Sequence, residues 1–208
     1  ALIFLVELAL GWVSVTGTRV SPRGNVPFWV GITVALVNFT FVSISEELLA
    51  RGYMIRNMAE GFNLPRVTPK QALLAAFFLS SAIFGLLHLG NPNSTWVSTV
   101  NLILAGLLLG LGFVLTGQLA IPLGLHLTWN FFMGNVFGFP VSGVGDRFSF
   151  ISIEQAGPEA FTGGAFGPEG GLIGVGAMLL GIALTYAWVR WTSGRAALQS
   201  ELAVYSFS

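Results

Sequence analysis

Residues 28–53 read FWVGITVALVNFTFVSISEELLARGY, an apolar run long enough to cross a bilayer that nevertheless carries two adjacent glutamates. A membrane-spanning helix needs about 20 mostly apolar residues. An ionisable side chain at that depth is costly, so it usually faces a cavity or a partner. Glu46 and Glu47 belong to the residue types that activate water or hold a metal. This stretch therefore predicts a membrane-embedded protein with a polar interior site.

The composition of the whole chain agrees with a lipid environment. Of 208 residues, 54% are hydrophobic and 9% are charged, whereas about a quarter of the residues in an average soluble protein are charged. Nine basic and nine acidic residues give a net charge of zero, so no nucleic-acid surface is expected. The absence of cysteine excludes disulfides, thiolate metal sites and cysteine nucleophiles.

The distribution of apolar segments predicts an all-α fold, a polytopic transmembrane helix bundle of about six spans in a single domain over residues 1–208. The first segment has no basic residues before it, unlike a signal peptide, so we interpret the chain as N-terminally truncated. The six segments cover about residues 1–15, 28–53, 70–89, 97–115, 119–139 and 172–191.

The connections contain recognisable helix signals. Thr68-Pro69 is typical of an N-cap followed by proline at the first helical position. Asn93 or Ser94 is expected to cap the next helix, and the short link at 117–118 predicts an antiparallel hairpin.

A Gly-rich segment at about residues 140–170 differs from the rest of the chain. We expect it to lie outside the bilayer or to fold over one mouth of the bundle. Its only basic residue is Arg147, and its acidic residues are Asp146, Glu154, Glu159 and Glu169.

Basic residues predict the orientation, because they favour the cytoplasmic side. With six spans, one side holds six basic residues and the other holds three. We expect the first side, and both ends of this fragment, to be cytoplasmic. The first side holds Arg51, Arg56, Arg66, Lys70, Arg190 and Arg195, and the second holds Arg19, Arg23 and Arg147.

Gly106 and Gly110 form a small-xxx-small pattern, which lets helix backbones approach closely. We favour packing within the bundle over a dimer interface.

The two glutamates are expected to have different roles. Adjacent helical residues point about 100° apart, whereas Glu47 and Arg51 are four residues apart and can form an ion pair on one face. Glu46 is then left without a local partner and is able to act as a base. The structural alternative is that both glutamates are solvated at the membrane interface.

Two histidines complete the set of polar residues in the apolar runs. His88 follows Phe84 by four residues, and His126 precedes Asn130 by four, so each pair shares a helix face. Trp129 and Phe131 are expected to face lipid or neighbouring helices. The structural alternatives are a core histidine bonded to a backbone carbonyl and a polar pair that joins two helices.

These residue types support peptide hydrolysis. Glu46 and His88 could orient and deprotonate a water molecule, while His126 and Asn130 could stabilise an oxyanion. The same Glu46, His88 and His126 could instead hold zinc with an open fourth position. The sequence leaves both mechanisms open. Asn130, a poor zinc ligand, slightly favours a mechanism without a cofactor.

The motifs occur in a distinctive order. Glu46-Glu47-Leu-Leu-Ala-Arg51 matches E-E-x-x-x-R, Phe84 to His88 matches F-x-x-x-H, and His126 to Asn130 matches H-x-x-x-N. Together, over about residues 28–140, they resemble the CPBP family of CAAX proteases and bacteriocin-processing enzymes.

The resemblance implies an intramembrane endopeptidase acting on a membrane-anchored or membrane-proximal peptide or lipidated protein. By position it assigns catalysis to Glu46, His88, His126 and Asn130. Glu47 and Arg51 become supporting residues, as does Phe84 from its motif. The resemblance implies either a metalloprotease or a glutamate-dependent enzyme. The compact size and the Gly-rich segment suggest a prokaryotic member of the family, located in the plasma (inner) membrane. The sequence identifies neither the substrate nor the oligomeric state.

Two other functions use the same residues. A non-catalytic membrane immunity or scaffold protein would bind a peptide in the same cavity. A transporter would use Glu46 and the histidines as a proton relay, but the sequence lacks the internal symmetry that favours this function.

The depths expected for the candidate residues in the bilayer do not agree with one shared site. At about 1.5 Å per residue, His88 lies roughly 25 Å from the start of its predicted span, whereas His126 and Glu46 lie roughly 10 Å from the corresponding ends of theirs. A third helix that begins near Thr68, outside the bilayer, would reduce the discrepancy.

Overall fold

The computed structural model describes residues 1–22, 24–145 and 147–205. Arg23 and Asp146, which entered the charge patterns above, lie outside the described residues. The described part of the chain is mostly helical. Its helices are α1 (Leu2–Ala9), α2 (Phe28–Glu47), α3 (Arg56–Phe62), α4 (Pro69–Leu87), α5 (Trp96–Thr116), α6 (Ala120–Phe131), α7 (Glu159–Thr162) and α8 (Leu172–Ser193).

Four helices in the described residues are long and apolar enough to cross a membrane. They cover Phe28–Phe62, Pro69–Gly90, Trp96–Thr116 and Leu172–Ser193. Many large apolar side chains on the outside of the bundle are exposed, among them Trp29, Phe41 and Trp191. Exposed apolar side chains of this kind are what a protein surrounded by lipid requires.

The predicted count of about six spans is not confirmed. Residues 1–15 form the eight-residue α1 and the beginning of a strand. Residues 119–139 contain the twelve-residue α6 and a five-residue π-helix, Phe132–Val136. Apolar composition alone predicted these two spans, but their helices are shorter than the roughly 20 residues that a membrane-spanning helix needs.

The expectation of a purely α-helical fold is also wrong in one respect. Strands β1 (Val13–Val20) and β2 (Ser149–Gln155) pair antiparallel, with Val13 opposite Gln155 and Val20 opposite Ser149. β2 lies inside the Gly-rich segment, so its partner is more than 100 positions away along the chain. Short-range sequence patterns cannot reveal such a pairing.

The helix that carries the two glutamates is longer than its predicted span. α2 continues without a break through a π-helix, Leu48–Ile55, into α3, so one helix of 35 residues ends at Phe62. This extension moves Glu46 to roughly 24 Å from the helix end, at about 1.5 Å per residue. That distance is close to the depth expected for His88 and removes part of the predicted conflict.

The helix signals around α4 and α5 are only partly as expected. Thr68 caps α4, and Pro69 is its first residue. The cap of α5 is Thr95, not Asn93 or Ser94. Asn93 instead donates hydrogen bonds to the carbonyls of Gly143 and Ala165, and so ties this turn to the Gly-rich segment.

Gly106 and Gly110 pack α5 against α4, as predicted. A Cβ at Gly106 would lie 2.9 Å from the backbone of Ser81, and one at Gly110 would lie 2.8 Å from the ring of Phe77. The backbones of α4 and α5 therefore lie in close contact at Gly106.

We expect Gly106→Ala to lower the free energy of unfolding by about 1–3 kcal/mol, because the added methyl meets a backbone that cannot move aside. Thermal unfolding in detergent measures the change. Gly176→Ala is the matched control, since a Cβ on this α8 residue meets nothing within 4 Å. Equal unfolding midpoints for the two variants would contradict the close packing.

Candidate active site

The buried centre of the site is the ion pair predicted between Glu47 and Arg51. Arg51 Nη1 donates to Glu47 Oε1 at 3.0 Å, and both side chains are almost completely buried. Arg51 Nη2 donates to the carbonyl of Gly106 at 3.0 Å, which joins α2 to α5. Arg51 lies in the π-helix, a conformation often found at functional sites.

His126 lies between the two glutamates. Its Nδ1 is 2.7 Å from Glu47 Oε1, and its Nε2 is 3.9 Å from Glu46 Oε2. Since a carboxylate oxygen accepts hydrogen bonds, Nδ1 carries a proton. In a neutral His126 the single ring N–H therefore donates its hydrogen bond to Glu47. Nε2 can donate a hydrogen bond to an oxyanion only when both ring nitrogens are protonated. The sequence did not predict this requirement.

Glu46 is held differently from its neighbour. It is partly exposed, and its Oε2 is buried without a hydrogen-bond partner among the described residues. Buried polar atoms are normally hydrogen-bonded, so an exception calls for an explanation. A carboxylate oxygen free to accept a proton is what a general base requires.

His88 is oriented by the turn that precedes it. Its Nδ1 is 2.7 Å from the carbonyl oxygen of Phe84, so this nitrogen is the donor and Nε2 is the acceptor in the neutral ring. The backbone carbonyl contact considered as a structural alternative is present, yet it leaves the second nitrogen available.

Phe84 packs against three of the polar side chains. The Cζ of Arg51 lies 4.5 Å from the ring centre of Phe84. The rings of His88 and His126 are centred 4.8 Å and 6.1 Å from it. Phe84 is therefore the apolar support that connects the motifs of α2, α4 and α6.

Asn130 is buried one turn after His126 on α6. Its side chain makes no hydrogen bond to any residue the structure describes. The amide is thus available as a donor or acceptor to a bound molecule. Immediately beyond it, α6 changes into the π-helix Phe132–Val136.

All four residues predicted to be catalytic line one cavity of about 260 Å³. Glu47 and Arg51 lie behind its wall. A neighbouring cavity of about 220 Å³ shares Glu46, Phe84, His88 and Asn91 with the first. The distant motifs are therefore brought around a common space.

The cavity wall contains a second group of polar residues that the sequence did not predict. Glu169 Oε1 accepts a hydrogen bond from Trp129 Nε1 at 2.9 Å. Its Oε2 accepts from the backbone N and Oγ of Ser142 at 2.6 Å and 2.8 Å. Trp129, which was expected to face lipid or neighbouring helices, lines the cavity with its indole. A Gly-rich segment carries no periodic signal that could reveal these contacts.

A catalytic zinc site needs three protein ligands within reach of one ion. Within the described ranges, no group of three His, Asp or Glu side chains is close enough together to hold a metal ion. Glu47 uses its Oε1 for Arg51 and His126. Of the three predicted ligands, only Glu46 and His126 form a close pair. We therefore derive no step through a metal.

A helical bundle with an apolar exterior and an internal carboxylate, imidazole and carboxamide cluster is the architecture of an integral-membrane hydrolase. The family model described as Type II CAAX prenyl endopeptidase Rce1-like matches residues 27–132, about half of the chain and all three motifs. The chain belongs to this protease family. No curated protein and no solved structure matches it.

Proposed function

We propose that this protein is an intramembrane endopeptidase that hydrolyses a peptide bond of a membrane-anchored or membrane-proximal substrate. The observation that carries the proposal is the convergence of Glu46, His88, His126 and Asn130 on one cavity. Lipidated CAAX-type peptides and bacteriocin-type peptides are the two substrate classes to test first.

In the proposed reaction, Glu46 Oε2 takes a proton from water, and His88 Nε2 accepts the second water proton as a hydrogen bond. The hydroxide attacks the peptide carbonyl. Nε2–H of protonated His126 and Nδ2 of Asn130 donate to the oxyanion. When the C–N bond breaks, the proton held by Glu46 passes to the leaving amine nitrogen. Glu47 and Arg51 hold His126 in place throughout.

We expect Asn130→Ala to lower kcat about 10²- to 10³-fold, the usual effect of removing one oxyanion donor. The measurement is cleavage of a fluorescent lipidated peptide by purified protein in detergent. Since Asn130 makes no hydrogen bond to the described residues, the unfolding midpoint should remain that of the wild type. An unchanged kcat would remove Asn130 from the mechanism.

The same assay distinguishes the remaining alternatives. Unchanged cleavage after metal removal by a strong chelator is the result expected of the glutamate-dependent mechanism. Loss of activity that zinc restores would instead favour the metalloprotease. A wild-type protein that binds the peptide but never cleaves it would favour the immunity or scaffold function.

We further propose that the basic end of the bundle faces the cytoplasm of a prokaryotic cell. α3, the loop that follows it, the start of α4 and the region around the end of α8 carry most of the basic residues among those that the structure describes, as expected of a cytoplasmic side. Asn63 donates to the carbonyl of Ala203 at 2.9 Å, so the tail lies at this end too. The residues concerned are Arg56, Arg66, Lys70, Arg190 and Arg195.

A further inference from the structure

Glu169 is a buried carboxylate in the cavity wall that the proposed mechanism does not use. Both of its oxygens accept hydrogen bonds, Oε1 from the indole of Trp129 and Oε2 from the backbone N and Oγ of Ser142. An ionised carboxylate is purely an acceptor, so one charged group satisfies all three donors. These bonds, which are stronger when one partner is charged, join α6 to the Gly-rich segment.

The part of the Gly-rich segment that Glu169 holds is a tight turn from Val141 to Val144. The backbone N of each of these two valines donates to the carbonyl of the other at 3.0 Å. The two residues between them have positive φ angles, 48° at Ser142 and 84° at Gly143. Positive φ at both central residues is the geometry of a type I′ turn, which favours Asn, Asp or Gly. Ser142 therefore has a backbone conformation that a serine rarely adopts.

The hydrogen bonds to Glu169 stabilise this unfavourable conformation of Ser142. The backbone N of Ser142 lies 2.6 Å from Oε2 of Glu169, and its Oγ lies 2.8 Å from the same atom. A residue with strained φ and ψ angles persists only when the surrounding structure fixes it, and such residues cluster at active sites. The carbonyl of Ser142 also accepts a hydrogen bond of 3.0 Å from Asn91, which lies three residues after His88. The turn is therefore fixed to two sides of the site.

The backbone around Glu169 is itself closely packed. Glu169 lies in a 3₁₀-helix, Pro168–Gly170, that ends just before α8 begins. A Cβ at Gly174 of α8 would collide with the carbonyl of Pro168. The carboxylate therefore projects from a segment that is packed onto a long helix, and it can determine where its hydrogen-bond donors lie.

The donors to Glu169 lie next to the candidate catalytic residues. Ser142 and Trp129 line the same cavity as Asn130 and His126. Trp129 directly precedes Asn130 on α6 and follows His126 by three residues. A shift of this helical turn would move the Asn130 amide, and a displacement of about 1 Å in a positioned group can lower a reaction rate about 10²-fold. The contacts of Glu169 therefore bear on the placement of the oxyanion donors.

We propose that Glu169 is a positioning residue for the hydrolysis. By holding the Ser142 turn against Trp129, its carboxylate closes this side of the cavity and keeps Asn130 in place as an oxyanion donor. Glu169 itself takes no proton during the reaction. This assignment rests on the proposed endopeptidase function.

The first test combines two substitutions in the cleavage assay with the fluorescent lipidated peptide. Glutamine at position 169 keeps the shape of the side chain, but its NH₂ group accepts no hydrogen bond from Ser142 or Trp129. We expect Glu169→Gln alone to lower kcat about 10- to 10²-fold. In that background, Asn130→Ala should lower kcat further by only about tenfold or less, against about 10²- to 10³-fold in the wild type. An Asn130 that is already displaced contributes less to the rate.

The effect of Asn130→Ala is measured within each background, so a loss of folded protein caused by Glu169→Gln cancels. Glu159→Gln is the matched control, because Glu159 is an exposed carboxylate of the same Gly-rich segment; in this variant Asn130→Ala should keep its full effect. A full effect of Asn130→Ala in the Glu169→Gln background would overturn the positioning role. An Asn130→Ala variant with the wild-type kcat would overturn it too, because the residue being positioned would then have no part in the reaction.

Trp129→Phe provides a second variant in case Glu169→Gln does not fold. It removes only the indole donor to Glu169 and keeps an aromatic ring in the cavity wall. The effect of Asn130→Ala should again decrease, by at least about threefold. An undiminished effect in this background counts against the role of Glu169.

Hydrogen exchange tests the same role without a substrate. The amide of Ser142 donates to Glu169, so it should exchange at least about tenfold faster in Glu169→Gln than in the wild type or in Glu159→Gln. Equal exchange rates would overturn the role of Glu169 and leave the endopeptidase function untouched. A wild-type protein that cleaves no peptide would contradict the endopeptidase function, and with it any role of Glu169 in hydrolysis, whatever the exchange rates are.

Discussion

We expect the Glu46→Gln variant to lower kcat about 10²- to 10⁴-fold, the contribution of a positioned general base. Glutamine keeps the shape of the side chain but cannot take a proton from water. Glu46 Oε2 has no hydrogen-bond partner among the described residues, so the substitution removes little that holds the fold. Peptide binding and the unfolding midpoint should therefore stay close to those of the wild type.

Two comparisons make this result specific. Glu154→Gln, an exposed carboxylate of β2, should keep full activity. Glu47→Gln should lower stability as well as activity, because Glu47 is fully buried with Arg51 and His126. Hydrolysis at the wild-type rate by Glu46→Gln would exclude Glu46 as the base.

The second large effect concerns stability. Arg51→Met should lower the free energy of unfolding by about 3–5 kcal/mol, since it leaves the carboxylate of Glu47 buried without its guanidinium partner. It also removes the hydrogen bond to Gly106 and the contact with the Phe84 ring. Denaturant or thermal unfolding in detergent measures the loss. Adding Glu47→Gln should recover part of it.

The chain contains its own control for this experiment. Arg56 and Glu60 have the same four-residue spacing and are 3.3 Å apart, but 54% of the Arg56 side chain is exposed, against 1% for Arg51. Arg56→Met should lower the free energy of unfolding by less than about 1 kcal/mol, as is usual when a surface ion pair is removed. An equal decrease in the free energy of unfolding for both variants would mean that burial does not determine the strength of the Glu47–Arg51 ion pair.

The local relations in the site could be predicted because helical spacing controls them. The pairing of Glu47 with Arg51, the ring contact between Phe84 and His88 and the cap at Thr68 depend on residues three or four positions apart. The membrane class followed from composition, because lipid and water favour different surfaces. The four residues expected to be catalytic do line one cavity, although their roles stay predictions.

Other features depend on contacts that are distant along the chain, and the sequence did not predict them. Trp129 was expected to face lipid or neighbouring helices, and Glu169, 40 positions later, accepts a hydrogen bond from its indole in the cavity wall. The strand pairing of Val13 with Gln155 had no local signal. The count of about six spans is not confirmed for a related reason, since an apolar run of suitable composition can be divided between a short helix and a strand.

The residue types and their order along the chain were sufficient to establish the family, the lipid environment and the four candidate reactive side chains. They could not establish that His126 bonds to Glu47 while its other nitrogen faces Glu46, or that Arg147 lies in the same cavity. The reason is physical. Helix periodicity determines which side chains share a face, whereas packing between α2, α4, α6 and the Gly-rich segment determines which atoms of different helices meet.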